Sequence, residues 1–123
     1  MKRLGVLLIS GGHERAHYAL VMATGAAALG RDVTLFATNK GLELLLADQR
    51  LTEDPREALL MAGGVAGIRV LWAAARELGI RMIACEAGIV AEGFRARPLA
   101  PGVERAGVAS FLEAAGSDQI VTL

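Results

Sequence analysis

Short apolar runs alternate with longer, Ala-rich segments along the chain, and glycines punctuate them. The run at 4–9 contains no charged residue, which is typical of a strand that is buried on both faces. Five strands are predicted in all, over residues 4–9, 33–37, 80–84, 103–106 and 119–123, of which 103–106 is short and contains two charges. The segments between them predict helices over residues 13–29, 40–47, 65–78, 86–92 and 109–115.

Turn-forming residues separate these elements. Four predicted helices are followed by a glycine in the position of a helix stop, at Gly30, Gly79, Gly93 and Gly116. Asn39 is placed to cap the helix at 40–47. Residues 48–56 are polar around Pro55 and predict a loop, with an added helical turn at 56–61, and residues 94–101 predict an irregular segment.

Strands that alternate with helices require crossover connections, which favour a parallel sheet covered on both faces. The fold class expected is therefore α/β, with a mostly parallel sheet. No linker or repeat divides the chain, so residues 1–123 are expected to form a single domain. Ligands of such sheets bind at the carboxyl ends of the strands. This rule selects two places, Ser10 to His13 and Ala84 to Glu86.

Composition narrows the function classes. Hydrophobic residues make up 54% of the 123 residues and the formal net charge is +0. Intrinsic disorder is excluded by this hydrophobicity, and the absence of a basic surplus argues against a nucleic-acid binder. So high an apolar fraction in so short a chain indicates that some of its surface meets another copy.

Two apolar segments invite comparison with targeting or membrane segments. The run at 4–9 lacks a following cleavage site of small residues, so a buried strand explains it better than a signal peptide. Residues 58–75 carry one charge, Arg69, and approach the ~20 residues of a membrane span. Three glycines and the cost of Arg69 in lipid favour a buried core or interface helix instead, and no membrane contact is expected.

Cys85 is the first candidate for chemistry. As the single cysteine, it excludes an intramolecular disulfide and suits a reducing compartment. It lies where a predicted strand ends and a helix begins, and a helix N-terminus stabilises the nucleophilic thiolate. Glu86 opposes this effect by repelling negative charge. The alternative is an inert, buried thiol, a common state of free cysteine.

Two further motifs have structural alternatives. The segment His13-Glu14-Arg15-Ala16-His17 fits H-E-x-x-H, a zinc metalloprotease signature. No third metal ligand is recognisable in the sequence. The alternative is that the two histidines lie at the start of a helix that faces the surface. Ser10-Gly11-Gly12 joins strand to helix as phosphate loops do, without their further residues, so a tight turn explains it better.

Four segments, taken in order, resemble the DsrE/DsrF-like sulfur-relay family, in particular the branch often labelled peroxiredoxin-like. Glu14-Arg15-Ala16 opens the first predicted helix as the family's E-R-A does, and GRDVTLF at 30–36 resembles its G-x-x-V-x-L-F. ARELGIRMIAC at 75–85 resembles the G-[IV]…C strand with its terminal cysteine. Residues 102–112 resemble the G-V-x-x-x-G-V-x-x-F-L tail.

The resemblance implies a three-layer flavodoxin-like fold of about five strands and a cytoplasmic homo-oligomer, a trimer or a hexamer. It also implies a sulfurtransferase or sulfur carrier that holds a persulfide on Cys85 and exchanges sulfur with donor and acceptor proteins, without a cofactor. Ser10, Gly11, Gly12 and Glu86 are expected to line the pocket around Cys85. Two alternatives stay open: a non-catalytic ligand-binding or scaffold oligomer with an inert Cys85, and a metal-binding protein that uses His13 and His17.

Overall fold

The structure, a computed structural model, describes residues 2–123. Its five strands are β1 (Arg3–Leu8), β2 (Asp32–Ala37), β3 (Arg81–Cys85), β4 (Glu104–Ala106) and β5 (Gln119–Thr122). Its helices are α1 (His13–Ala28), α2 (Pro55–Ala62), α3 (Ile68–Glu77), α4 (Glu86–Ala91) and α5 (Val108–Ala115). Two 3₁₀ segments, Asn39–Leu45 and Arg50–Glu53, lie between β2 and α2.

The strands form one parallel sheet in the order β4-β3-β2-β1-β5. In register, Leu8 pairs with Ala37, Ala37 pairs with Ala84, and Cys85 pairs with Ala106. The carboxyl ends of these four strands therefore meet at one edge of the sheet. The predicted α/β class and the flavodoxin-like arrangement of about five strands are confirmed.

Side chains that alternate along each strand divide the core into two clusters. Leu4, Val6 and Leu8 belong to the larger cluster, together with buried residues of α1 and α3. The smaller cluster centres on Phe36, Ile83 and Phe111, and Cys85 packs against it. Because alternate residues of a strand point to opposite faces, α1 and α3 cover one face of the sheet and α5 covers the other.

The helix predicted at 40–47 is present as a 3₁₀ helix over Asn39–Leu45, but Asn39 is its first residue and not its cap. Thr38 occupies the cap position without a capping hydrogen bond from its side chain to the helix backbone, and Asn39 has a left-handed φ of 50°. Leu44, Leu45 and Leu46 are all buried.

Residues 58–75 do not form the single buried helix that their apolar character suggests. They comprise the end of α2, a turn through Gly64 and most of α3. None of the nine residues at 58–66 is buried. α2 itself begins at Pro55, inside the predicted loop, because the Asp54 carboxylate caps it by accepting from the Arg56 N–H at 2.8 Å. Within residues 2–123, no helix has the length and apolar character needed to cross a membrane.

Candidate functional site

Cys85 is both the last residue of β3 and the N-cap of α4. Its sulfur accepts a hydrogen bond from the Gly88 N–H at 3.3 Å, which is within range for a sulfur acceptor. The side chain is half-buried, with one flank against the apolar cluster of Phe36, Ile83 and Phe111. The position that the sequence predicts for Cys85, at a strand-to-helix junction on the carboxyl edge, is the one observed.

The ends of the two flanking strands are the immediate neighbours of Cys85. β2 ends beside it and continues into Thr38 and Asn39, and β4 ends at Ala106, its register partner. A Cβ atom at Gly88 would lie 2.8 Å from Thr38 Oγ1 and 3.3 Å from Asn39 N. The absence of a side chain at Gly88 thus lets α4 lie directly against the turn that follows β2.

Sequence reasoning missed Thr38, Asn39 and Gly88. The rule that ligands bind at the carboxyl ends of parallel strands applies to every strand of the sheet, so it also points to the end of β2. Gly88 carries no such signal. Its importance depends on packing against Thr38, fifty positions earlier in the chain, which periodicity does not reveal.

The predicted pocket residues lie on both sides of this neighbourhood. Glu86 is exposed and directly follows Cys85 as the first residue of α4. Ser10, Gly11 and Gly12 follow β1, which β2 separates from β3, so two strand spacings of about 5 Å each lie between them and Cys85. Gly12 has a φ of 91°, consistent with a tight turn that requires glycine.

The two histidines of the H-E-x-x-H motif are buried, which corrects the alternative of a surface-facing helix start. His13 Nε2 lies 2.6 Å from Glu57 Oε1 and donates to it, since a carboxylate only accepts. His17 Nε2 donates to the Ala66 carbonyl at 2.9 Å, and the two imidazole rings stack. Glu14 is exposed and faces Arg56 instead. Residues 2–123 contain no cluster of three or more His, Cys, Asp or Glu side chains that could hold a metal ion.

Glu57 caps α3 from a distance in the chain. Its two oxygens accept from the Ile68 N–H at 2.9 Å and the Arg69 N–H at 3.0 Å, the first backbone donors of α3. Burial raises the pKa of the Glu57 carboxyl, but the hydrogen bonds from Arg69, His13 and Ile68 outweigh it and hold the pKa below its usual value. The H-E-x-x-H histidines therefore contribute to a packed junction of α1, α2 and α3.

The segment after α4 is fastened by a charged cluster. Arg97 makes a bidentate ion pair with Glu43, at 2.6 and 2.8 Å, and two further hydrogen bonds to Asp48. The Arg97 guanidinium and the Lys40 ammonium group both lie over the Phe94 ring, at 4.9 and 5.5 Å from its centroid. These contacts hold the segment that follows α4 against the 3₁₀ helix at 39–45. That 3₁₀ helix in turn packs against α4, which begins at Cys85.

A half-buried thiol on the carboxyl edge of a five-stranded parallel sheet defines a class of small α/β protein. The chain belongs to the DsrE/DsrF/DrsH-like family, whose family model matches residues 1–63, half of the chain. The family expected from the sequence is thereby confirmed. The narrower assignment to the branch labelled peroxiredoxin-like stays a prediction.

Two proteins show how far the similarity extends. The chain is 26% identical to the sulfur carrier protein DsrE2 of Allochromatium vinosum, across 97% of this chain and 96% of that protein. Its fold is similar to the crystal structure of the YchN protein from E. coli, with a TM-score of 0.76 over 100% of both chains. The sequence identity to YchN is 17%, so that similarity concerns the fold alone.

Proposed function

We propose that this protein is a sulfur carrier, or the sulfur-accepting subunit of a sulfurtransferase, and that Cys85 holds the sulfur as a persulfide. The observation that carries the proposal is the placement of the only cysteine at the carboxyl edge of the sheet, where its sulfur accepts the Gly88 N–H. Similarity along nearly the whole chain to a protein named as a sulfur carrier supports it.

The proposed step is thiol exchange. The Cys85 thiolate attacks the terminal sulfur of a donor persulfide, the donor's S–S bond breaks, and the donor departs as a thiolate. The product is a persulfide on Cys85, and a thiolate of the acceptor removes its terminal sulfur by the same reaction in turn. No net oxidation occurs and no cofactor is needed.

The neighbouring groups have distinct roles in this proposal. The Gly88 N–H stabilises negative charge on sulfur, while the carboxylate of Glu86 opposes it by charge repulsion. Thr38 and Asn39 form the adjoining wall. Ser10, Gly11 and Gly12 shape the more distant floor of the docking surface that a donor or acceptor protein covers.

The test is the intact mass of the purified protein before and after incubation with a persulfide donor, with Cys85→Ser alongside. We expect the wild-type protein to gain the mass of one or more sulfur atoms, reversibly by reductant, and the variant to gain none. Circular dichroism should show the same fold in both proteins. Equal loading of the two proteins would overturn the proposal.

A second candidate is a non-catalytic scaffold or ligand-binding protein with an inert thiol. The packing of Cys85 against the apolar cluster of Phe36, Ile83 and Phe111 favours it, because buried structural cysteines react poorly. Native alkylation separates the two candidates. A carrier reacts with iodoacetamide before denaturation, whereas an inert thiol reacts only afterwards.

The proposal also covers the oligomeric state of the protein and the compartment in which it works. We propose a homo-oligomer, a trimer or hexamer, that works with donor and acceptor proteins in the reducing environment of the cytoplasm. The many large apolar side chains exposed on a single chain support self-association.

A further inference from the structure

A polar cavity lies at the amino edge of the sheet, opposite the edge that carries Cys85. Its volume is about 350 Å³, within the range of small-molecule sites. α5 forms one wall, and the first residues of the three central strands form the floor. The polar side chains that line it are Arg3, Asp32, Thr34, Arg81, Ser110 and Glu113.

Thr34 provides an unused hydrogen-bonding group in the floor of this cavity. The residue is only 5% exposed, yet its hydroxyl takes part in none of the hydrogen bonds among residues 2–123. The hydroxyl is open to the cavity, so a group of a bound ligand can supply its hydrogen bond. The Ser110 hydroxyl on the wall is likewise unpartnered within the described chain.

Charges of both signs surround the hydroxyl, and Asp32 and Glu113 lie near enough to Arg81 to stabilise its cation. Within residues 2–123, no ion pair joins Arg3, Asp32 or Glu113 to an oppositely charged group. Arg81 donates through Nε and Nη2 to the Glu104 carboxylate, at 2.6 and 2.9 Å. This bidentate contact fixes the plane of the guanidinium and leaves Nη1 available to a ligand.

We propose that this cavity binds a free α-amino acid. The carboxylate of the ligand would be bound by Arg3 and the free edge of Arg81, and its ammonium group by Asp32 and Glu113. Arg3 and Asp32 are register partners on neighbouring strands, so their backbones lie about one strand spacing apart. The hydroxyls of Thr34 and Ser110 complete the hydrogen bonds.

Other ligand classes fit less well. A simple anion would meet two carboxylates, and a simple cation or metal ion would meet two guanidinium groups. An apolar molecule would leave the hydroxyls and charges desolvated and unpaired, which is costly. A zwitterion satisfies both signs at once, and the cavity holds roughly a dozen water volumes, enough for an amino acid.

The test is isothermal titration of the full-length protein with pools of the twenty protein amino acids, each at about 10 mM, which detects a Kd near 1 mM. The best binder is then compared with its N-acetyl form, an anion, and its amide form, a cation. We expect at least one amino acid to bind, and both singly charged forms to bind at least tenfold more weakly. Absence of binding in every pool, or equal binding of the three forms, overturns the proposal.

Variants assign the binding to this cavity. Thr34→Val preserves shape and β-branching, and we expect it to weaken binding about fivefold, the effect of one hydrogen bond. Thr122→Val, on β5 at the opposite edge, is the matched control and should bind as the wild-type protein does.

Glu113→Gln, at an exposed position, tests the same cavity if Thr34→Val fails to fold. It should weaken binding of the amino acid while leaving binding of its N-acetyl form unchanged. Unchanged amino-acid binding in either cavity variant contradicts the assignment. Loading of Cys85 is measured separately, so the two proposals stand or fall independently.

Discussion

Gly88 contacts both the thiol of Cys85 and the turn that follows β2. Replacing it with alanine places a Cβ atom 2.8 Å from Thr38 Oγ1, closer than real side chains approach, so α4 or the turn must shift. The shift lengthens the Gly88 N–H to Cys85 sulfur hydrogen bond. We expect Gly88→Ala to lower the free energy of unfolding by about 1–3 kcal/mol and to slow alkylation of Cys85 several-fold at neutral pH.

Gly25 provides a matched control for this substitution. It lies inside α1 and is exposed, and a Cβ atom added there would meet no neighbouring group within 4 Å, so alanine fits without strain. Gly25→Ala should raise the unfolding free energy by about 0.5–1 kcal/mol and leave the alkylation rate unchanged. If both variants alter the rate equally, Gly88 has no special role in positioning the thiol.

At the scale of elements, Glu57 joins α2 to α1 and to the start of α3. It is buried, and its carboxylate accepts from two backbone N–H groups and from His13. In Glu57→Gln, one oxygen becomes an NH₂ group that faces donors it cannot accept from. We expect a loss of about 2–3 kcal/mol of unfolding free energy at pH 7, measured by urea denaturation.

The pH dependence of this loss follows from the lowered pKa of Glu57. A carboxyl whose pKa is lower in the folded protein stabilises it above the unfolded value of 4.5, and this contribution disappears as the pH falls through the folded value. The difference between wild type and Glu57→Gln should therefore be largest above about pH 4.5 and shrink in more acidic solution. Glu53→Gln, an exposed control, should differ from wild type by no more than about 0.5 kcal/mol. If the unfolding free energies of wild type and Glu57→Gln differ by the same amount at every acidic pH, the Glu57 carboxylate is not the cause of the stability difference.

Elements that depend on local signals could be predicted from the sequence, and those that depend on distant contacts could not. All five strands lie within one residue of their predicted bounds. Apolar residues mark β1, β2 and β3, which are mostly buried, as is typical of parallel strands covered on both faces, whereas β4 and β5 are mostly exposed. α3 starts three residues later than predicted, since its first turn is set by the carboxylate of Glu57 from another helix. The same limit applies at the site: Cys85 is evident from the end of its strand, whereas Gly88 emerges only from packing against Thr38.

For the whole molecule, the exposed apolar strip at 58–66 is the surface that we expect another subunit to cover. We define it by Leu59, Met61 and Val65, of which the first two are each 66% exposed. The proposed homo-oligomer would bury them, and each such side chain contributes about 1.5–3 kcal/mol when it is buried. The strip is therefore where we expect subunits to meet, although its apolar character alone predicts a buried helix.

Light scattering coupled to size exclusion tests this expectation. The wild-type protein should have a mass that is a multiple of 12.8 kDa. Placing lysines at Leu59 and Met61 removes two buried side chains per interface, which raises the dissociation constant by about 100-fold or more and shifts the mass towards that of one chain. Leu29→Lys, at the exposed end of α1, is the control for added charge and should keep the wild-type mass.

A wild-type protein that is already monomeric would refute the proposed homo-oligomer. An oligomer that survives both lysines would show that its subunits meet elsewhere, and the exposed Val108 and Leu112 of α5 would then be the next surface to change.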